Sequence, residues 1–331
     1  MIGAQGSPYL QPNQWQASLG YRWQRSDRHF TGDQEDKERA EEGSQVINDL
    51  HLMDIGATYA VTERFNATLS LPIVVASRSQ RLRDLEGELT PRRNHTDAHG
   101  IGDMSLLGRY WMLDPAVHTR KNFSLGLGVK LPTGENDVED KFIQPDGSVE
   151  RRTVDQSIQP GDGGYGVVFD VSAFQTVFED SALFFQGTYL SNPRNTNGVR
   201  TFRRLEDEQV MSVADSFIAR IGGATPLSKN GLSFTLAGRL EGVPVNDLLG
   251  DSDGFRRPGV AVSIEPGFVF AAEKNVFSLG FPVAIYRNRF RSVADRREGP
   301  EQHGDAAFAD FLILFGYSRR FDAADFGSWF Q

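Results

Sequence analysis

Charged side chains in this chain fall on the polar parity of stretches in which polar or small residues alternate with apolar ones. Arg22, Asp54, Asp103, Arg109, Lys130, Asp170, Arg220, Arg239 and Glu265 all have this placement, as do Arg78, Glu241, Asp310 and Arg320. Seven cations stand against six anions, so the polar faces carry mixed sign near neutrality. Such a face can line a water-filled path that binds a polar solute. Alternatively its guanidinium and ammonium groups pair with its carboxylates and fill the space. Asp103 and Arg109 on one stretch, and Lys130 on the next, are the candidates for a constriction.

A second pattern is the doublet Arg-Arg. It occurs at Arg92 and Arg93, Arg151 and Arg152, Arg203 and Arg204, Arg256 and Arg257, and Arg296 and Arg297, with another at Arg319 and Arg320. Guanidinium forks match phosphate and carboxylate. The doublets could contact lipopolysaccharide phosphates, an anionic solute or an acidic partner. Acids lie beside nearly every doublet (Glu150, Glu206, Asp207, Asp251, Asp253, Asp295 and Glu298), so a salt-bridged roof is the plainer expectation.

Enzyme chemistry has little support. Six His are scattered, and neither a Gly-x-Ser-x-Gly elbow nor a His-Glu-x-x-His pair appears. The chain has no Cys, which excludes zinc–cysteine modules, iron–sulfur ligation and a disulfide scaffold. The acid-rich segments 135–140 and 246–253 lack EF-hand spacing. No enzyme, cofactor or metal site is expected. A net charge of −9 argues against a nucleic-acid partner.

The elements that carry these charges follow from the alternation. Trp15, Ala17, Leu19, Tyr21 and Trp23 share one face, against Gln16, Ser18, Gly20, Arg22 and Gln24. Side chains of a strand point alternately to its two faces, so this is a strand with one apolar side. The same pattern runs through 53–61, 65–75, 103–112, 123–131, 165–173, 183–189, 216–222, 232–240, 260–270, 277–286 and 310–318. In the stretch 277–286 it puts Tyr286 on the polar face. Twelve strands of about 10–14 residues exceed the roughly 5–6 of soluble proteins and match what a tilted bilayer-crossing strand requires. The longest apolar runs, such as 71–76, are far too short for a membrane helix.

Connections alternate between short ones (62–64, 114–121, 178–181, 226–231, 272–275) and long ones (28–46, 78–99, 132–162, 192–210, 242–259, 289–305). Short periplasmic turns and long extracellular loops give this asymmetry. Aromatics gather near strand ends, as interfacial girdles do. A soluble sandwich or lipocalin-like barrel would instead bury one face as its core. The expected architecture is all-β, a twelve-stranded antiparallel transmembrane barrel over 14–321. A periplasmic segment 1–13 precedes it and a periplasmic tail 322–331 follows. The opening Met1–Gly6 shows no charged and apolar export signal, so the chain reads as mature or trimmed.

Three segments carry a family resemblance: Gly100-Ile-Gly-Asp-Met-Ser-Leu-Leu-Gly-Arg-Tyr110, Leu125-Gly-Leu-Gly-Val-Lys-Leu-Pro-Thr-Gly134 and Gln159-Pro-Gly-Asp-Gly-Gly-Tyr-Gly166. Together they resemble the bacterial outer-membrane family known as MetA-pathway of phenol degradation proteins, often called transporters. The last strand, ending Phe315-Gly-Tyr-Ser-Arg-Arg-Phe321, also resembles the closing signal read by the outer-membrane assembly machinery. It departs in being followed by a tail containing Phe326, Trp329 and Phe330. The resemblance implies an outer-membrane barrel and transport of an aromatic or other hydrophobic solute. The expected partners are outer-membrane lipid, lipopolysaccharide and a small-molecule solute, with a protein partner through the loops or tail also open. The alternative is an occluded barrel that anchors a larger surface assembly.

Overall fold

The structure is a computed structural model that describes residues 9–178, 180–322 and 325. Its strands close into one antiparallel barrel. The twelve barrel strands are numbered here in chain order: β1 Trp15–Thr31, β2 Ile47–Ala60, β3 Phe65–Arg83, β4 Leu89–Ile101 and Ser105–Trp111, β5 Lys121–Lys130, β6 Gly166–Val177, β7 Ser181–Ser191, β8 Ser216–Pro226, β9 Leu232–Val243, β10 Gly259–Ala272, β11 Asn275–Gly280 and Val283–Arg289, and β12 Ala306–Phe321. Each pairs with its sequence neighbours, and β1 closes on β12 from Trp15↔Phe321 to Phe30↔Ala306. Closure leaves no row of unpaired backbone groups facing lipid.

The apolar parity faces outward. Leu69, Leu127, Ile221, Leu236 and Ile285 are exposed on the barrel exterior, while Ser124 and Ser233 on the opposite parity are buried. Rings cluster at the short-turn rim: Trp15 lies 4.7 Å from Tyr59, and Phe277 lies 4.9 Å from Tyr317. The fold is that of a bacterial outer-membrane β-barrel.

Two expectations are corrected. The segment 78–99 is not a loop: β3 and β4 stay paired through Arg81↔Arg93, and the connection is only 84–88. Here the outward face meets water, while the inward face is buried largely through polar side chains such as Ser79, Asn94 and Thr96, so the apolar alternation fades while backbone pairing continues. Tyr286 does not face inward. A bulge shifts the register between Val262↔Tyr286 and Ser263↔Ala284, leaving Ile285 extra and turning Tyr286 to the outer parity.

Two strands are interrupted. β4 breaks at 102–104, and β11 breaks at Phe281–Pro282. Pro282 has no N–H to donate, although its carbonyl still accepts from Leu312 N at 2.9 Å. Among the long connections, 131–165 carries a ribbon (Glu139–Ile143 with Val149–Thr153), 192–215 a second (Thr196–Arg200 with Val210–Ser212), and 290–305 the helix Val293–Glu298. The tail aromatics Phe326, Trp329 and Phe330 lie outside the described residues.

Candidate functional site

The interior carries a chain of alternating charges. Arg22 on β1 reaches Glu241 on β9 through two hydrogen bonds of 3.0 Å. Glu241 also accepts from Arg239 at 2.7 Å, and Arg239 lies 3.4 Å from Glu265 on β10. Glu265 in turn holds Arg220 of β8, which donates to Gln186 at 2.9 Å. The β1–β9 contact joins strands separated in the wall by β10, β11 and β12. It therefore crosses the lumen as a chord.

A second pair depends on a glycine. Gly126 on β5 stands in register with Arg109 of β4 and with Asp170 of β6. With no side chain between them, Arg109 Nε donates to Asp170 at 2.9 Å and Thr188 donates to the same carboxylate at 3.2 Å. Asp54 faces the lumen beside Gly20, and among the described residues it has no ion-pair partner.

The structure divides the expected constriction residues. Arg109 belongs to the Asp170 pair. Asp103 and Lys130 instead build a knot at the β4 break. Lys130 Nζ donates to Asp103 at 3.3 Å and also bonds Asp162. Asp103 accepts from Gly134 N at 3.0 Å and Asp162 N at 3.1 Å. Thr133 donates to Gly102 O at 2.9 Å and accepts from Met104 N at 2.8 Å. A Cβ on Gly134 would stand 2.8 Å from Gly161 Cα, so that crossing admits only glycine. The three sequence motifs that carry the family resemblance thus meet at one place. Burial pushes the Asp162 carboxyl upward, ahead of the opposing pull of Lys130.

The knot ties down both ends of the 135–162 segment, which folds into the barrel mouth. Its Val154 and Ile158, both fully buried, pack on Val74, Ala76 and Ala98, with Leu50 and Leu52 alongside. These wall residues lie on the inward parity, where polar residues are expected. The signal was available in the sequence. In the run Leu71–Ala76 the apolar residues do not alternate, as in a strand covered on both faces.

The arginine doublets mostly form a roof. Arg256 donates to Asp247 at 2.7 Å, Arg257 grips Asp155 at 2.8 and 2.9 Å, and Arg297 bridges Asp207 and Asp253. Arg151 and Arg152 pair with Glu139 and Glu150, while Arg93 donates to backbone carbonyls of Gln45 and Ser79. Arg92, Arg204 and Arg296 show no ion pair among the described residues. Burial raises Asp155, but the charges of Arg257 and Arg78 outweigh it and hold this carboxyl well below the usual range. Sequence reasoning did not find Asp155, Asp162 or Asp247, because their partners lie on other loops or depend on how a loop folds.

At the opposite end, Tyr9 packs 5.0 Å from Trp111 and 6.0 Å from Phe174, two inward-facing rings. Its hydroxyl donates to His118 O at 2.9 Å and accepts from Asn122 at 2.8 Å. Cavities remain between these obstructions. One of about 710 Å³ opens at the mouth, one of about 240 Å³ lies beneath the loops, and one of about 230 Å³ adjoins Arg220 and Glu265. Among the described residues no group of three or more His, Asp or Glu side chains is arranged to hold a metal ion.

No protein-family model matches the chain, and no curated protein matches its sequence. Among solved structures it is similar to the COG4313 outer membrane channel from Pseudomonas putida F1, with a TM-score of 0.57 and 11% identity, covering 94% of this chain and 97% of that one. It also matches the beta domain of the Bordetella autotransporter BrkA (TM-score 0.46, 10% identity, 93% and 100% covered) and a Pseudomonas aeruginosa FadL homologue (0.45, 8%, 95% and 91%). The first likeness, at this identity, speaks for the shared barrel fold.

Proposed function

We propose that the barrel is an outer-membrane channel passing a small hydrophobic or aromatic solute, with its short turns in the periplasm and its long loops outside. The observation that carries this is the apolar patch on the inner wall, formed by Leu50, Leu52, Val74, Ala76 and Ala98. Among the described residues it is covered by Val154, Ile158 and Val138 of an inserted loop, which an apolar solute can replace at little cost in buried area. The channel named in the Pseudomonas putida structure agrees with this reading. Arg22, Arg239, Glu241 and Glu265 then form the narrow charged zone that the solute skirts, and the apolar patch is its first stop.

A second reading, a closed structural barrel, draws on the Arg22–Glu241 chord and on Tyr9 at the far end. The test is uptake of a radiolabelled monoaromatic by cells with an intact lipopolysaccharide layer. Cells expressing this chain should take it up faster than cells expressing an unrelated barrel. Equal rates, together with silence in planar bilayers and a constant co-purifying partner, would establish the second reading.

A further inference from the structure

The cavity of about 240 Å³ beneath the loops is walled by four cations, Arg39, Arg78, Arg203 and Arg257, against one carboxylate, Asp305, with Phe202 and Val46 on its apolar side. Three of the four cations are matched. Arg257 grips Asp155, Arg78 lies 3.6 Å from the same carboxylate, and Arg39 lies 3.2 Å from Asp305. Arg203 is not matched. Among the described residues no carboxylate comes within 4.0 Å of it, and its Nε is buried without an acceptor. Its guanidinium stacks 4.1 Å over the Phe255 ring, which also carries Arg257 at 4.6 Å. Of the buried acids that act on it, Asp155 has the larger electrostatic effect and Glu208 the next; both stay beyond ion-pair distance, and burial raises the Glu208 pKa.

Arg203 is partly buried, and leaving its buried Nε unsatisfied beside a second cation is costly. Burial, and then Arg257, push the Arg203 pKa down, so a bound anion would relieve its environment. One free planar fork matches one carboxylate. A phosphate dianion would leave charge uncompensated, and Phe202 and Val46 offer an apolar wall that a bare inorganic anion does not need. The volume lies below the range of drug-sized sites, which fits a single ring. We infer that this cavity binds an aromatic monocarboxylate, with Arg203 receiving the carboxylate and Phe202 and Val46 flanking the ring. The inference rests on the channel reading in one respect: it names the solute class that pauses at the mouth.

The experiment is calorimetric titration of the purified, folded full chain with benzoate, benzyl alcohol and inorganic phosphate. Benzoate should bind saturably. Arg203→Gln should weaken it at least about tenfold, which is about 1.4 kcal/mol, and Arg203→Lys should restore part of the loss. Benzyl alcohol should bind weakly and show no dependence on Arg203. Heat-modified gel mobility checks that each variant is a folded barrel. Unchanged benzoate affinity in a folded Arg203→Gln barrel overturns the inference, as does phosphate binding equal to benzoate with the same Arg203 dependence. The uptake assay reads separately: benzoate binding without aromatic uptake removes the channel and keeps the site, whereas uptake without Arg203-dependent binding does the reverse.

Discussion

Gly126 lets two charges from different strands meet over its empty position. A Cβ there would stand 2.9 Å from Asp170 Cβ and 3.1 Å from Leu107 Cδ1. Gly126→Val should therefore destabilise the barrel by about 1–3 kcal/mol through overpacking, read as a lower urea midpoint with unchanged slope. Lys130 has a different role. It bridges Asp103 and Asp162, and the Lys130 and Asp103 side chains are 7% and 10% exposed. Lys130→Met leaves two carboxylates facing each other and should cost about 3–5 kcal/mol, again by urea unfolding. The alternation placed both residues on the inner face, but it could not name their partners. Asp162 is a loop residue 32 positions from Lys130, and only the folding of that loop brings it back.

In the proposed channel, passage depends on the inserted segment 135–162. Its Asp155 is held by Arg257 and Arg78, and its folded pKa lies below the ordinary value of about 3.9. A depressed carboxyl stabilises docking above its unfolded pKa, and that contribution is lost only as pH falls through the folded value. Docking should thus resist acidification from pH 7 to about pH 4, measured as protection of the segment from limited proteolysis. Asp155→Asn should be cleaved readily even at pH 7. The barrel strands were legible because a bilayer imposes a period of two on any strand crossing it. Their extent was not, since β3 and β4 continue as a paired ribbon with one face in water and the other buried largely through polar side chains, so no apolar alternation marks it. The inserted segment was legible only indirectly, through the unbroken apolar run that it covers. Tyr286 was misplaced because one extra residue reverses the parity of everything after it.

Across the whole molecule, the charged chord and the docked segment obstruct the same lumen in series. Arg22→Ala removes a partly exposed pair and should cost only about 1 kcal/mol or less, yet it should raise single-channel conductance in planar bilayers. If conductance stays the same, the chord does not limit passage. The barrel has one pairing that its hairpins do not supply. Every other neighbour relation joins consecutive strands, whereas Trp15↔Phe321 and its successors join the two ends of the strand series. Local hairpins form at little loop-closure cost, so this seam should be the slow and last contact in assembly. Because the first and last strands lie side by side with the same rim for their outer ends, the chain order is a matter of where the circle was cut. A circular permutant that bridges Phe321 to Trp15 with a short linker and opens in 84–88 should close into the same barrel, with its seam moved to β3 and β4.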